Sequence, residues 1–184
     1  RPEARLIVVP HEPTAEHLAR LDDRARGLGL PAPARLSTAA GPAPLLVVDR
    51  VGVLATLYQG AAVAYVGGGF GNAGLHSVLE PASCSVPVLI GPRWQGSRDA
   101  ALLLARRAAI VVSAEFPDWL DLDALSTHAG ANPLAAIWLA LLRNPHHARD
   151  AGRRALECVE AGLGAAARSA GLVERLMEPA VSAR

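Results

Sequence analysis

The sequence predicts an α/β protein in which a parallel sheet carries helices on both faces. Short apolar runs rich in β-branched residues alternate with helical patterns from Arg5 to Val112. That alternation is the signature of successive βαβ units with right-handed crossovers. The runs are apolar almost throughout rather than at every second position, as strands buried on both sides require. A composition of 51% hydrophobic but only 4% aromatic residues fits an Ala-, Leu- and Val-filled core of α/β or all-α type, and the alternation decides for α/β. At 184 residues a single domain over 1–184 is expected, with a helical tail over about 133–184.

The elements follow in order. Arg5-Leu-Ile-Val-Val9 predicts a buried parallel strand. After the Pro10–Pro13 loop, Thr14 caps a helix running to about Gly27, with Leu18, Leu21, Ala25 and Leu28 on its apolar face and Gly27 and Gly29 as its stop. Residues 31–44 are rich in Pro, Ala and Gly, with a short strand near Ala34 to Leu36. Leu45–Val48 is the next buried strand, and past Asp49 and Gly52 a helix spans about Val53 to Gly60. Val63–Val66 is a strand that runs into a glycine-rich turn, and a helix is expected from Leu75. Val86–Ile90 is a strand closed by Gly91-Pro92, Arg98–Arg107 a helix and Ala109–Val112 the last strand. Three helices near 133–143, 146–161 and 165–177 make up the tail.

Composition excludes several classes of function. With 18 basic and 17 acidic residues the net charge is +1, which gives no field for nucleic acid, and no basic run is interleaved with aromatics. Cys84 and Cys158 form no CxxC pair and read as free thiols of a reducing compartment, serving as small core residues. No apolar run reaches the ~18 residues that span a bilayer, so a soluble chain is expected. His128, His146 and His147 have no acid at ligand spacing and read as surface or capping residues, so no metal is expected. Trp119 and Trp138 fit core or interface positions. No serine stands in a nucleophile-elbow context. The chain opens on Arg1-Pro2 with no initiating Met and no signal peptide, and is expected to be a piece of a longer protein.

In open parallel sheets ligands sit beyond the C-terminal strand ends, where segments 10–13, 49–52, 67–74 and 91–98 all fall. The most informative of them is Val63-Ala-Tyr-Val-Gly-Gly-Gly-Phe-Gly-Asn-Ala-Gly-Leu-His-Ser-Val-Leu-Glu-Pro-Ala82. Glycines at a strand-to-helix turn let backbone N–H groups approach a ligand, and the following helix N-terminus favours an anion such as phosphate. On a helix from Leu75, residues Leu75, Val78, Leu79 and Ala82 form the packed face. His76, Ser77 and Glu80 form another, with His76 and Glu80 one turn apart. Pro81 conflicts with a helix interior, a kind of conflict that marks functional sites, unless the helix simply ends at Glu80 with its polar groups solvated. Gly69-Phe-Gly-Asn-Ala-Gly74 matches the dinucleotide pattern G-x-G-x-x-G literally. The next strand, however, ends in Ile90-Gly-Pro-Arg-Trp94 without the ribose-binding carboxylate, which disfavours an NAD enzyme.

Taken together, Gly67-Gly-Gly-Phe-Gly71, Leu75-His-Ser-Val-Leu-Glu-Pro-Ala82 and Val86-Pro-Val-Leu-Ile-Gly-Pro92 resemble the C-terminal half of the 3-deoxy-D-manno-octulosonic acid (Kdo) transferases. Pro10-His-Glu-Pro13 and Asp49-Arg-Val-Gly-Val-Leu54 resemble further signatures of that family in the same order. The resemblance implies a GT-B enzyme of two Rossmann-like domains, the C-terminal one binding the donor CMP-Kdo and the N-terminal one the lipid A precursor, in lipopolysaccharide biosynthesis. It implies inverting, metal-independent transfer with no cofactor. The family's general base is a carboxylate of the N-terminal domain, so no catalytic residue is expected here and the chain alone is expected to bind but not to catalyse. The full-length protein is expected at the cytoplasmic face of the bacterial inner membrane.

Carried over residue by residue, Gly68, Gly69 and Gly71 meet the donor phosphate together with the start of the Leu75 helix. His76 and Ser77 stand at the family's His-Asn pair, and Glu80 at its glutamate, where a carboxylate accepts hydrogen bonds from both ribose hydroxyls. His11 and Glu12 occupy the loop that faces the interdomain cleft, unless that loop is ordinary solvated chain. Asp49 and Gly52 shape the cytidine side of the pocket, or Asp49 only caps its helix. Arg93 and Gln95 reach the donor carboxylate or phosphate, Arg93 being suited to a bidentate contact. Two departures stand out: Ser77 replaces an asparagine, and Arg93-Trp-Gln-Gly-Ser97 differs from the family's Asn-Phe version. Two other readings remain open, a GT-B glycosyltransferase or 2-epimerase using a UDP-sugar and a non-catalytic nucleotide-binding module.

Overall fold

The computed structural model describes residues 4–113 and 132–177; Trp119, His128 and the end of the expected tail lie outside them. The chain divides into two compact units, Arg1–Leu57 and Tyr58–Arg184.

The first unit contains β1 (Leu6–Val8), α1 (Ala15–Gly27), β2 (Ala34–Arg35), β3 (Leu45–Val47) and most of α2 (Leu54–Tyr58). Its three strands are parallel in the order β1-β3-β2, with Ile7 opposite Leu46 and Ala34 also opposite Leu46. The central strand is the buried one: Val47 and the following Val48 are each 1% exposed. The strand expected to be buried at Arg5–Val9 differs. It is an outer strand of its sheet, and Leu6 and Ile7 are exposed at 38% and 42%, because an outer strand has a neighbour on one side only. Helix α1 starts where Thr14 Oγ1 accepts a hydrogen bond from the His17 N–H at 3.2 Å, satisfying one of the first-turn donors. Its face buries Ala25 and half-buries Leu18 and Leu21, whereas Leu28 falls beyond the helix end and is exposed. Arg35 on β2 ties back to α1 through Asp22 at 2.5 Å.

The second unit contains β4 (Ala64–Val66), α3 (Leu79–Ser83), β5 (Val88–Ile90), α4 (Arg98–Ala105), β6 (Ala109–Val111), α5 (Pro133–Arg143), α6 (Pro145–Gly162) and α7 (Ala165–Met177). Its strands are parallel in the order β4-β5-β6, with Tyr65, Leu89 and Ile110 in one row across the sheet. All three β5 residues are fully buried, as a run apolar throughout requires. Side chains alternate between the faces. Leu89 and Ile110 pack with Ile137, Ala140 and Leu141 of α5, while Val88, Ile90 and Ala109 pack with Val78, Ala82, Leu103 and Ala155, from the α3, α4 and α6 side. Helices therefore cover both faces of this sheet, as expected for an α/β protein. Trp138 takes the core position expected of it, half-buried against the α5 side.

The tail helices start on the signals the sequence carries. Asn132 caps α5 through the Leu134 N–H at 3.0 Å, and Asn144 caps α6 through the His147 N–H at 3.4 Å. Each is followed by a proline at the first helical position, where the missing N–H costs nothing. Helix α6 buries a stripe of small residues, Ala148, Ala151, Gly152 and Ala155. At Gly152 it lies so close to the turn after α3 that a Cβ there would stand 2.7 Å from the Ser85 carbonyl carbon.

Candidate functional site

The second unit carries the glycine turn, and its geometry separates three glycines that look alike in sequence. Gly68 adopts φ +92°, and a Cβ on it would stand 2.9 Å from the Gly74 carbonyl carbon. Gly69 is packed against Gly91, where a Cβ would stand 2.7 Å from the Gly91 nitrogen. Gly71 has open space around it. Gly68 and Gly69 thus let chain approach chain, and Gly71 is the one of the three with open space where a side chain would stand. Two hydrogen bonds brace the turn. The His76 N–H donates to the Gly67 carbonyl at 3.1 Å, and the Arg93 N–H donates to the Gly69 carbonyl at 2.9 Å.

The expected helix from Leu75 begins four residues later, at Leu79. The bond from His76 to Gly67 holds residues 75–77 as an irregular strap across the strand end, so no helical turn forms there. His76 and Ser77 are exposed on this strap, with the His76 imidazole over Gly67, where a Cβ would meet its Cδ2 at 3.6 Å. His76 and Glu80 consequently do not share a helix face. Pro81 lies in the first turn of α3, where an absent N–H leaves no bond unmade, and the expected conflict disappears. Glu80 stands exposed in that same turn. Of the expected packed face, Val78 and Ala82 are buried and Leu75 half-buried, while Leu79 is 38% exposed. Gln95 turns onto its own loop, its Nε2 donating to the Pro92 carbonyl at 3.1 Å.

His11, Glu12, Asp49 and Gly52 belong to the first unit. The Glu12 carbonyl is hydrogen-bonded to His17 Nδ1 at 2.7 Å, which ties the Pro10–Pro13 loop to the first turn of α1. Asp49 does not cap α2, which begins five residues further on. Its carboxylate accepts from the Ser37 N–H at 3.0 Å and from the Ser37 hydroxyl, and these bonds, the hydroxyl's foremost, hold its carboxyl below the ordinary aspartate range. Gly52 adopts φ +82°, a turn position that favours glycine.

Three further residues join the site without having been singled out from sequence. Asn72 Oδ1 accepts a hydrogen bond from the Arg93 guanidinium; it is the only polar side chain between Gly67 and Leu75, which was the signal available. Gly91 is the counterpart of Gly69, visible only once the two segments meet. Tyr58 has its phenol raised by burial first, and then by the charges of Glu80 and Cys84. Chemically, the turn offers open backbone at Gly71, a guanidinium beside it and an exposed carboxylate at Glu80, a set of groups suited to a phosphorylated ribonucleoside.

No family model matches the chain. It is 44% identical over 57 residues to the 3-deoxy-D-manno-octulosonic acid transferase of Chlamydophila psittaci, covering 30% of this chain and 13% of that protein. It is 32% identical over 104 residues to the enzyme of the same name from Bordetella pertussis, covering 54% of this chain and 24% of that protein. The chain thus matches less than a quarter of the length of either relative. Among solved structures, the C-terminal CMP-Kdo binding domain of WaaA from Acinetobacter baumannii superimposes with a TM-score of 0.64 at 23% identity, covering 84% of this chain and 73% of that one. The glycine turn, the His-Ser-Val-Leu-Glu-Pro strap and the α/β fold point the same way: this chain resembles the C-terminal half of the Kdo transferases in sequence and shares the fold of their C-terminal domain.

Proposed function

We propose that residues 1–184 make up the donor-binding part of a Kdo transferase and hold CMP-Kdo for transfer to a lipid A precursor in lipopolysaccharide biosynthesis. The reading rests chiefly on one concurrence. The sequence matches to Kdo transferases and the fold match to a CMP-Kdo-binding domain meet on a chain whose glycine turn presents open backbone, a cation and an exposed carboxylate. In this reading the N–H groups around Gly71 and the Arg93 guanidinium receive the phosphate, and Glu80 accepts from the ribose hydroxyls. His76, Ser77 and Gln95 border the donor.

The acceptor lipid and the general base belong to an N-terminal domain outside this sequence, so the chain by itself binds without transferring. The complete enzyme works at the cytoplasmic face of the inner membrane; among the described residues no helix is long and apolar enough to cross a membrane. A thermal-shift titration tests the donor. A ligand at about one hundred times its Kd stabilises by about 2.7 kcal/mol, so CMP is expected to raise the melting temperature by several degrees. Stabilisation by UDP or UDP-GlcNAc with no response to CMP would replace this reading with a UDP-sugar enzyme.

A further inference from the structure

We infer that Asn72 is a positioning residue, holding Arg93 beside the open backbone of Gly71 as the cation for the donor's phosphate. The inference deepens the donor-binding reading and rests on it. Arg93 is anchored to the glycine turn at both ends. Its N–H donates to the Gly69 carbonyl at 2.9 Å, and its guanidinium Nη1 donates to Asn72 Oδ1. The segment that carries it is packed closely on the turn, because Gly69 and Gly91 meet with no room for a Cβ between them. The side chain therefore starts from a backbone bonded to Gly69 and ends on Asn72, the residue that follows Gly71.

The chemistry of the partner matters as much as the tether. The ion pairs among the described residues join Arg20 to Glu16, Arg26 to Asp23, Arg35 to Asp22, and Arg153 to Asp150 and Glu157. Arg93 is in none of them; its partner is a neutral amide. An amide oxygen orients the guanidinium without cancelling its charge, which leaves the rest of the donor fork for an anion. A carboxylate at position 72 would orient it equally well and neutralise it. Holding the long side chain in place beforehand also removes the rotamer freedom that a loose arginine would lose on binding.

The test is the preference for CMP over cytidine, measured by calorimetric titration on the protein and on Asn72→Ala, Asn72→Asp and Arg93→Ala, with UMP and uridine run in parallel. Arg93→Ala is expected to lose about tenfold or more of the preference, the worth of a hydrogen bond to a charged group. Asn72→Ala is expected to lose several-fold through the released side chain. Asn72→Asp keeps an acceptor for Nη1, so a purely structural role would leave it like wild type; the expected result is instead a loss as large as that of Arg93→Ala. Cytidine affinity and melting temperature stay at wild-type values in all three. An unaltered preference in any of the variants overturns the inference, and so does a parallel loss of cytidine affinity in Asn72→Ala. A wild-type protein that prefers UMP defeats the CMP donor while the Asn72 role is judged on UMP against uridine. One that never distinguishes a nucleotide from its nucleoside defeats the Asn72 role outright.

Discussion

Gly69 and Gly91 meet backbone to backbone, two segments each passing where the other's side chain would stand. A Cβ on Gly69 would lie 2.7 Å from the Gly91 nitrogen, and one on Gly91 would lie 2.9 Å from the Gly69 Cα. A methyl group at either position forces the glycine turn away from the end of β5. Gly91→Ala is therefore expected to lose about 1–3 kcal/mol of folding stability, read as a lower urea midpoint. Gly71→Ala, with open space around it, is expected to stay within about 1 kcal/mol of wild type and to lose nucleotide affinity instead. Opposite ranking of the two variants in the urea titration would contradict this division of roles.

Glu80 is exposed in the first turn of α3, whose packing is carried by Val78, Pro81 and Ala82. Glu80→Ala is expected to change folding stability by no more than about 0.5 kcal/mol. Its affinity for CMP is expected to fall about tenfold or more, as for the loss of a hydrogen-bonded charge. Comparison with 2′-deoxy-CMP isolates the ribose contact: wild type should prefer the ribonucleotide, and the variant should not. A preference that survives in Glu80→Ala removes this carboxylate from the ribose.

Gly152 couples the tail to the site. Helix α6 rests on the turn that follows α3, and a Cβ on Gly152 would stand 2.7 Å from the Ser85 carbonyl carbon and 3.5 Å from Pro87 Cδ. Ser85 is held in the left-handed region at φ +58°, so its carbonyl has little freedom to yield. Gly152→Ala is expected to cost about 1–3 kcal/mol, visible as a lower melting temperature. CMP affinity should fall with it, because the displaced α3 carries Glu80. A variant that melts like wild type would show that the two helices separate freely.

Asp49 provides a pH test in the first unit. The Ser37 hydroxyl and N–H stabilise its ionised form, so its folded carboxyl lies below its ordinary value of 3.8. A carboxylate depressed on folding contributes stability above its unfolded pKa and loses it as pH falls through the folded one. Wild type should therefore lose this contribution below about pH 3.8, whereas Ser37→Ala, already lacking the hydroxyl's bond, should lose less there. Melting curves collected between neutral pH and about pH 3 read this directly, and parallel acid limbs in the two proteins would show that the bond contributes nothing.

Much of the fold was legible because its causes are local. Thr14 announced a helix start, and the apolar runs located all six strands of the described residues to within a few residues. The glycine turn stood out because six of the ten residues from Val66 to Leu75 are either glycine or alanine. The start of α3 was misplaced for a non-local reason: the apolar spacing of Leu75, Val78, Leu79 and Ala82 is helical, but the His76 N–H is taken by Gly67. Leu6 and Ile7 read as buried because their composition is that of a central strand, and only the pairing order shows β1 to be an outer one.

By itself, the sequence determined an α/β protein with parallel strands, a helical tail, a glycine turn beyond β4 and the motifs of the Kdo transferases. Periodicity, capping residues and glycine content act over a few residues, so they can be read without coordinates. Tertiary structure alone decided which glycines meet backbone and which has open space around it, that Asn72 receives Arg93, that Asp49 serves Ser37 and that α6 rests on the turn after α3. Each of these depends on two segments separated in sequence approaching within a hydrogen bond or a van der Waals contact, and no local pattern encodes which backbone will stand opposite which.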